Sequence, residues 1–78
     1  MIKNNLYKNI ADCIGIDINQ INKNSDMQSI KEWDSINHIK IILLLEKKYK
    51  IKIKTSDFDK FTSIKFIEEY LKKNKKYS

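Results

Sequence analysis

Three residues that could form a nucleophilic site, Asp34, Ser35 and His38, lie together in the segment DSINH. In a serine triad, the histidine takes the serine proton and the aspartate orients the histidine ring. On a helix, Asp34 and His38 share a face, whereas Ser35 lies at the helix end. A nucleophilic serine also needs a sharp, glycine-flanked turn and an oxyanion loop, and the sequence around Ser35 has neither. We therefore predict that the chain is not an enzyme and that His38 is a partly exposed helix residue.

Two other roles remain for Ser35. In the first, Asp34 or Ser35 simply caps a helix, since Asp and Ser are favoured at N-caps. In the second, Ser35 carries a covalent group, because a helix N-terminus favours an anion such as a phosphate ester. A second apolar stripe beside Ser35, formed by Ile36, Ile39 and Leu43, is more apolar surface than so small a core needs. Attachment of a group at Ser35, with enzymes docking on this stripe, would account both for a serine at the exposed helix start and for the apolar residues beside it.

The bulk composition indicates a small globular domain. The chain has 78 residues, 41% hydrophobic and 33% charged, and its one cysteine, Cys13, excludes an internal disulfide. The net charge is +6, but all sixteen basic residues are lysines, spread along the chain. Lys, Ile and Asn make up half of the residues, which is typical of a low-GC codon bias, so we interpret the charge mainly as solvated surface. We expect no metal, no signal peptide, no membrane insertion and a cytoplasmic location.

The apolar periodicity predicts an all-α fold, a small four-helix bundle of three long helices and one short one with a long first loop. The expected elements are a first helix over roughly 3–14 ended by Gly15, a loop over 16–33, a second helix from Asp34 or Ser35 to Tyr49, an extended connection, a short helix capped by Thr55, Ser56 or Asp57, and a last helix capped by Thr62 or Ser63. We treat 1–78 as one domain with a frayed tail over 73–78.

Apolar residues at helical spacing also predict the core. Its expected members are Leu6, Ile10, Ile14, Ile42, Leu45, Phe61, Ile64, Ile67 and Leu71. Isolated apolar residues should hold the long loop on this core, namely Ile18, Ile21, Met27 and Ile30. Trp33 is expected to anchor the end of the loop, and Cys13 to be a small core residue.

The segment EWDSINHIKIILLLEKKYKIKI resembles the phosphopantetheine-attachment motif of acyl carrier proteins, a D-S-[LIM] at the head of the second helix. Downstream, KTSDFDKFTSIKFIEEYLKK is similar to the short third and closing fourth helices of that family, so the resemblance covers nearly the whole chain. It implies a 4′-phosphopantetheine arm, derived from coenzyme A, on Ser35, which makes the chain a phosphoprotein. The terminal thiol of the arm would carry acyl or aminoacyl groups as thioesters. A long acyl chain would slip between the helices.

The resemblance also implies partners. They are a phosphopantetheinyl transferase, an acyl- or aminoacyl-loading enzyme and acyl-transferring enzymes, with no nucleic acid, and the carrier would be a monomer. Docking is expected on the second helix, at Asp34, Ile36, Ile39, Lys40, Leu43, Glu46 and Lys47.

The charge of the second helix separates this chain from the carriers of general fatty-acid synthesis. Those carriers are usually acidic along this helix, whereas here Asp34 and Glu46 are its acids. This favours a carrier dedicated to one pathway, whether for lipids or fatty acids, polyketides, amino acids or polysaccharide modification. The alternative is a basic helical module that binds nucleic acid or protein, in which Ser35 is only a helix cap.

Overall fold

Helices account for the regular structure of this chain. The computed structural model describes residues 2–74, with side chains from residue 6 onward. It contains three α-helices, α1 (Ile2–Ile14), α2 (Ser35–Tyr49) and α3 (Ile64–Lys73), and two 3₁₀ helices, Ile18–Gln20 and Thr55–Lys60. No strand occurs in this part of the chain, so the all-α bundle of three long helices and a short one is confirmed, and its long first loop contains an additional 3₁₀ turn.

The ends of the α-helices follow local chemistry. Gly15 ends α1 with a positive φ of 75°, and the Ile16 N–H donates to the carbonyl of Ala11 at 3.0 Å, as in a Schellman motif. Of the two residues predicted to cap the last helix, Ser63 is the one that does so, because its hydroxyl accepts from the Phe66 N–H at 3.2 Å. The last helix continues through Lys73, the first residue of the predicted frayed tail, and 75–78 lie outside the described residues.

The N-cap of the short helix lies one residue before the first of its predicted caps. Lys54 is the N-cap of Thr55–Lys60 and makes no side-chain capping bond. The first turn closes instead through the backbone, with the Asp57 N–H donating to the Lys54 carbonyl at 2.8 Å. The prediction that Thr55, Ser56 or Asp57 caps this helix was therefore wrong, because all three residues lie inside the turn that they were expected to begin.

One continuous core joins the helices. All nine predicted core residues are buried in it, and Cys13 and Tyr49 pack against its edge. Ile41 is also buried, although the apolar periodicity did not predict it as a core residue. It lies within the run of consecutive apolar residues 41–45, which covers every side of a helix, so the run does not show which side faces the core. Ile53 is also buried, although it belongs to an extended segment.

Backbone hydrogen bonds and buried side chains fasten the long loop. The Met27 N–H donates to the Thr62 carbonyl at 2.8 Å and the Ile64 N–H to the Ser25 carbonyl at 2.9 Å, which ties the loop to the start of α3. Side chains predicted to hold the loop on the core do so, since Ile21, Ile30 and Trp33 are buried and Met27 packs at the edge. Ile18 was wrongly included, since it is 37% exposed on the first 3₁₀ helix.

His38 connects the start of α2 to its surroundings. Its Nδ1 accepts from the Trp33 indole N–H at 3.0 Å, and its Nε2 lies 2.7 Å from the Phe58 carbonyl oxygen. One neutral tautomer, with the proton on Nε2, satisfies both contacts. Only 6% of His38 is exposed, so the prediction of a partly exposed residue was wrong. The ring lies on the same face of α2 as Ile41, Ile42 and Leu45, at spacings of three, four and seven residues.

Glu46 holds the extended segment that follows α2. The helix ends at Tyr49, its C-cap Lys50 has the left-handed φ of 55°, and the chain then runs without regular structure over 51–54. Within that segment, the Ile53 N–H donates to Glu46 Oε2 at 2.9 Å, in a partly buried position. The carboxylate therefore takes the place of a strand partner and allows the Ile53 side chain to enter the core.

A polar contact also joins α1 to α3. The Tyr7 hydroxyl hydrogen-bonds the carboxylate of Glu68, which is buried on α3. Burial, together with the bond to Glu68 and its negative charge, raises the pKa of Tyr7 to about 12. The hydroxyl is thus protonated at neutral pH and serves as a donor to the buried acid.

We expect His38→Ala to lower the free energy of unfolding by about 2–4 kcal/mol, because it leaves the buried Trp33 N–H without an acceptor and opens a cavity. Urea denaturation followed by circular dichroism measures this loss, with the exposed Lys65→Ala as the control. Trp33→Phe should lower the free energy of unfolding less in the His38→Ala variant than in the wild-type protein. In the variant, this second substitution removes the indole N–H that the loss of His38 leaves unpaired. A change within about 0.5 kcal/mol for His38→Ala would contradict this role.

We expect Glu46→Ala to lower the free energy of unfolding by about 1–3 kcal/mol, since the partly buried Ile53 N–H loses a charged acceptor. Glu46→Gln keeps an acceptor oxygen and should cost less than about 1 kcal/mol. The same denaturation measurement applies, with the exposed Glu69→Ala as the control for removal of an acid. Equal losses for Glu46→Ala and Glu69→Ala would show that the contact contributes nothing.

Candidate functional site

Ser35 is the first residue of α2 and is exposed. Asp34 precedes it in an extended conformation, and Asp34 Oδ1 accepts from the Asn37 N–H at 2.9 Å. The predicted aspartate cap is confirmed, and it leaves the Ser35 hydroxyl free of the capping role. Asn37 closes the turn further, because its side-chain amide donates to the carbonyl of Glu32 at 2.7 Å. The backbone around Ser35 is thus held on both sides.

The first turn of α2 suits a negatively charged group on the Ser35 hydroxyl. The N–H groups of Ser35 and Ile36 have no acceptor within the helix, because the i−4 carbonyls lie before its start. They add to the positive end of the helix dipole, which stabilises a nearby anion by about 0.3–1 kcal/mol at an exposed site. An exposed hydroxyl beside these amides could hold a phosphodiester without burying its charge.

The arrangement does not support serine-hydrolase chemistry. Both ring nitrogens of His38 are engaged, by Trp33 and by the Phe58 carbonyl, and the ring lies on the buried face of α2. The Asp34 carboxylate binds the Asn37 N–H as a cap. Ser35 is exposed at the helix end, so the three residues do not form a proton-transfer chain.

Cys13 is the other nucleophilic residue, and its surroundings make it a weak one. It was expected to be a small core residue, and it lies near the end of α1, half-buried at the edge of the core. Burial raises the pKa of the Cys13 thiol, and the positive charge of Lys40 opposes this effect in part. Because the thiolate is the reactive form, a raised pKa lowers reactivity at neutral pH.

The apolar stripe predicted beside Ser35 lies on the solvent face of α2. Ile36 is 71% exposed, Leu43 57% and Ile39 41%, whereas Ile42 and Leu45 on the opposite face are fully buried. Three large exposed hydrophobic side chains on one side of α2 are unusual, because exposed hydrophobic residues are normally isolated from one another. We call Ile36, Ile39 and Leu43 the outer stripe.

The charged residues predicted to take part in docking fall into two groups. Lys40 and Lys47 are exposed on α2. Asp34 accepts a hydrogen bond from the backbone N–H of Asn37, and Glu46 accepts one from that of Ile53, so both carboxylates have structural roles. The sequence indicated this role for Asp34 but not for Glu46. No helix within 2–74 is long and apolar enough to cross a membrane.

Comparisons with known proteins agree with this geometry. A family model described as "Phosphopantetheine attachment site" matches residues 5–71. The acyl carrier protein of Phytoplasma mali (strain AT) is 30% identical to this chain over 74 residues, which cover 95% of this chain and 88% of that protein. Proteins of this family are not enzymes themselves, and they carry 4′-phosphopantetheine as a covalent cofactor. The chain therefore belongs to the phosphopantetheine-binding family of acyl carrier proteins.

Proposed function

We propose that Ser35 is the residue that carries the 4′-phosphopantetheine arm. The supporting observation is its exposed hydroxyl at the first position of α2, next to a cap that another residue supplies. Other serines within the matched range are less suitable. Ser25 is buried, Ser29 hydrogen-bonds Asp26 within a turn, and Ser63 caps α3. Ser56 is exposed, but it lies in a short 3₁₀ helix whose dipole is small.

The residues around Ser35 have separable tasks in this proposal. The Asp34 cap and the Asn37 amide hold the turn in place, so the backbone that carries the exposed Ser35 side chain is fixed. The free amides of the first turn favour the negative charge of the phosphodiester. When attached, the arm supplies a terminal thiol that holds acyl groups as thioesters, and the protein's own residues bind and orient the arm without catalysing the transfer.

The outer stripe is the proposed docking surface for modifying and acyl-handling enzymes. It begins one residue after Ser35 and runs along α2, so an enzyme bound there has the attachment point at the edge of its contact. Burial of three large aliphatic side chains in a protein interface would remove apolar area from water next to the arm. Asp34, Lys40, Glu46 and Lys47 border this surface, with Asp34 and Glu46 already engaged within the protein.

We further propose that the chain serves a dedicated pathway rather than general fatty-acid synthesis. The exposed charges along α2 are lysines, whereas the second helix of the general fatty-acid carriers is usually acidic. Its cargo would be an acyl or aminoacyl group, loaded by one enzyme and accepted by another. An exposed surface of opposite charge would disfavour enzymes that recognise an acidic carrier.

Intact mass spectrometry after incubation with coenzyme A and a broad-specificity phosphopantetheinyl transferase tests the attachment residue. We expect the wild-type protein and Ser56→Ala to gain one phosphopantetheine group and Ser35→Ala to gain none. Circular dichroism should show that Ser35→Ala is folded, because an exposed substitution that spares the cap changes stability by about 0.5 kcal/mol or less.

Two outcomes would contradict the proposal. Modification of Ser35→Ala would place the arm on another residue. A wild-type protein that stays unmodified with several transferases, and also when isolated from its native cell, would leave Ser35 as a helix-start residue and favour the basic binding module. In that event, salt-sensitive binding to nucleic acid would become the next measurement.

A further inference from the structure

The segment formed by α2 and the residues that follow it presents a net positive charge to a partner. The segment 34–54 contains two acids, Asp34 and Glu46, and six lysines. Both carboxylates are directed to backbone N–H groups of this chain, at 2.9 Å in each case. A carboxylate that accepts one such bond can still accept others, so these contacts give both acids a structural task without removing the exposed Asp34 from the surface. The two acids are nonetheless outnumbered by the six lysines of this segment.

Lys40 and Lys47 are the lysines nearest to the outer stripe. Both are exposed, they are seven residues apart, and this spacing places them on one side of the helix about 10 Å from each other. They border the outer stripe on the side of Ile36 and Leu43. Within the described part of the chain, neither amine forms an ion pair with a carboxylate. A local role at the helix C-terminus could explain Lys47, but Lys40 lies in the middle of the helix.

The charges also divide along the helix. Glu32 and Asp34 lie at the Ser35 end, whereas four more exposed lysines follow Lys47 at the far end. Those residues are Lys48, Lys50, Lys52 and Lys54. A complementary surface would therefore carry its negative charge opposite the part of α2 from Lys40 to the helix C-terminus, beyond the attachment point.

We propose that the enzymes that use this carrier, including the transferase that modifies Ser35, dock on the outer stripe through an apolar centre bordered by carboxylates that face Lys40 and Lys47. This inference rests on the proposed function and assigns the chemistry of the partner surface. A protein partner fits the stripe better than an anionic membrane does, because the stripe adjoins Ser35, whose arm has to enter an active site. The lysine amines provide steering toward an acidic surface and exclude a basic one.

The test uses the phosphopantetheinyl transferase encoded in the same genome as the probe, and measures kcat/KM for modification of the full chain. The variant is Lys40→Glu/Lys47→Glu. Its matched control, Lys23→Glu/Lys65→Glu, changes the net charge equally at exposed sites outside α2. We expect kcat/KM to fall about tenfold or more for the α2 variant at low salt and less than about twofold for the control.

Salt provides a second readout. Between about 0.05 M and about 0.5 M salt, the Debye length falls from roughly 14 Å to roughly 4 Å, so the difference between wild type and the α2 variant should shrink. An α2 variant that is modified as fast as wild type, or faster, would overturn the acidic partner surface while leaving attachment at Ser35 intact. Equal losses of kcat/KM for the α2 variant and the control would also overturn the acidic partner surface, because the rate of modification would then depend on net charge alone.

The remaining outcomes separate the inference from the proposed function. Wild-type protein that the transferase does not modify would overturn both, and circular dichroism confirms that each variant is folded. Cosedimentation of the unmodified protein with vesicles of anionic phospholipid, lost in the α2 variant while modification rates stay equal, would assign the lysines to a lipid surface instead. We expect no cosedimentation.

Discussion

The position of α2 depends on one buried contact, the pair of hydrogen bonds made by the His38 ring. Its Nδ1 accepts from Trp33, which ends the long first loop, and its Nε2 donates to the carbonyl of Phe58 in the second 3₁₀ helix. A single neutral ring therefore joins the segments before and after α2 to its first turn. Because the contact is buried, an unpaired group there would be costly, and the start of the helix is held in one arrangement.

The same helix separates two surfaces with different tasks. Its inner face places His38, Ile41, Ile42 and Leu45 in the core, and its outer face leaves the outer stripe in water next to Ser35. Asp34 and Glu46 belong to the internal structure, since each holds a backbone N–H. The helix therefore offers a partner apolar groups and lysines, and its two acids also stabilise the fold. This division follows from hydrogen bonding and could not be obtained from a count of charges.

Particular residues show how far sequence patterns reach in this chain. Gly15, the Asp34 cap and the Ser63 cap are local features, since each depends on neighbours within three or four residues. Gly15 was identified correctly, and each cap was one of two neighbouring residues that the sequence left open, Asp34 or Ser35 and Thr62 or Ser63. His38, Ile18 and the start of the short helix were assigned wrongly. The short helix closes its first turn through the Lys54 carbonyl without a side-chain cap, so no capping residue marks its start. For His38 and Ile18, the outcome depends on distant groups, such as the Phe58 carbonyl, or on whether a loop side chain reaches the core. Such contacts have no fixed spacing along the chain.

The sequence by itself determined the all-α class, the helix boundaries near Gly15, Asp34 and Ser63, and the apolar positions of the core, because these depend on periodicity and capping chemistry. It also placed Ser35 at the head of an amphipathic helix. Only the tertiary structure decided that His38 is buried as a shared hydrogen-bonding partner and that Glu46 holds Ile53. The physical reason is that the role of a polar side chain depends on the hydrogen-bonding partner that it contacts in the folded chain, which can be distant in sequence. The face on which an apolar side chain lies is set by its spacing along the helix.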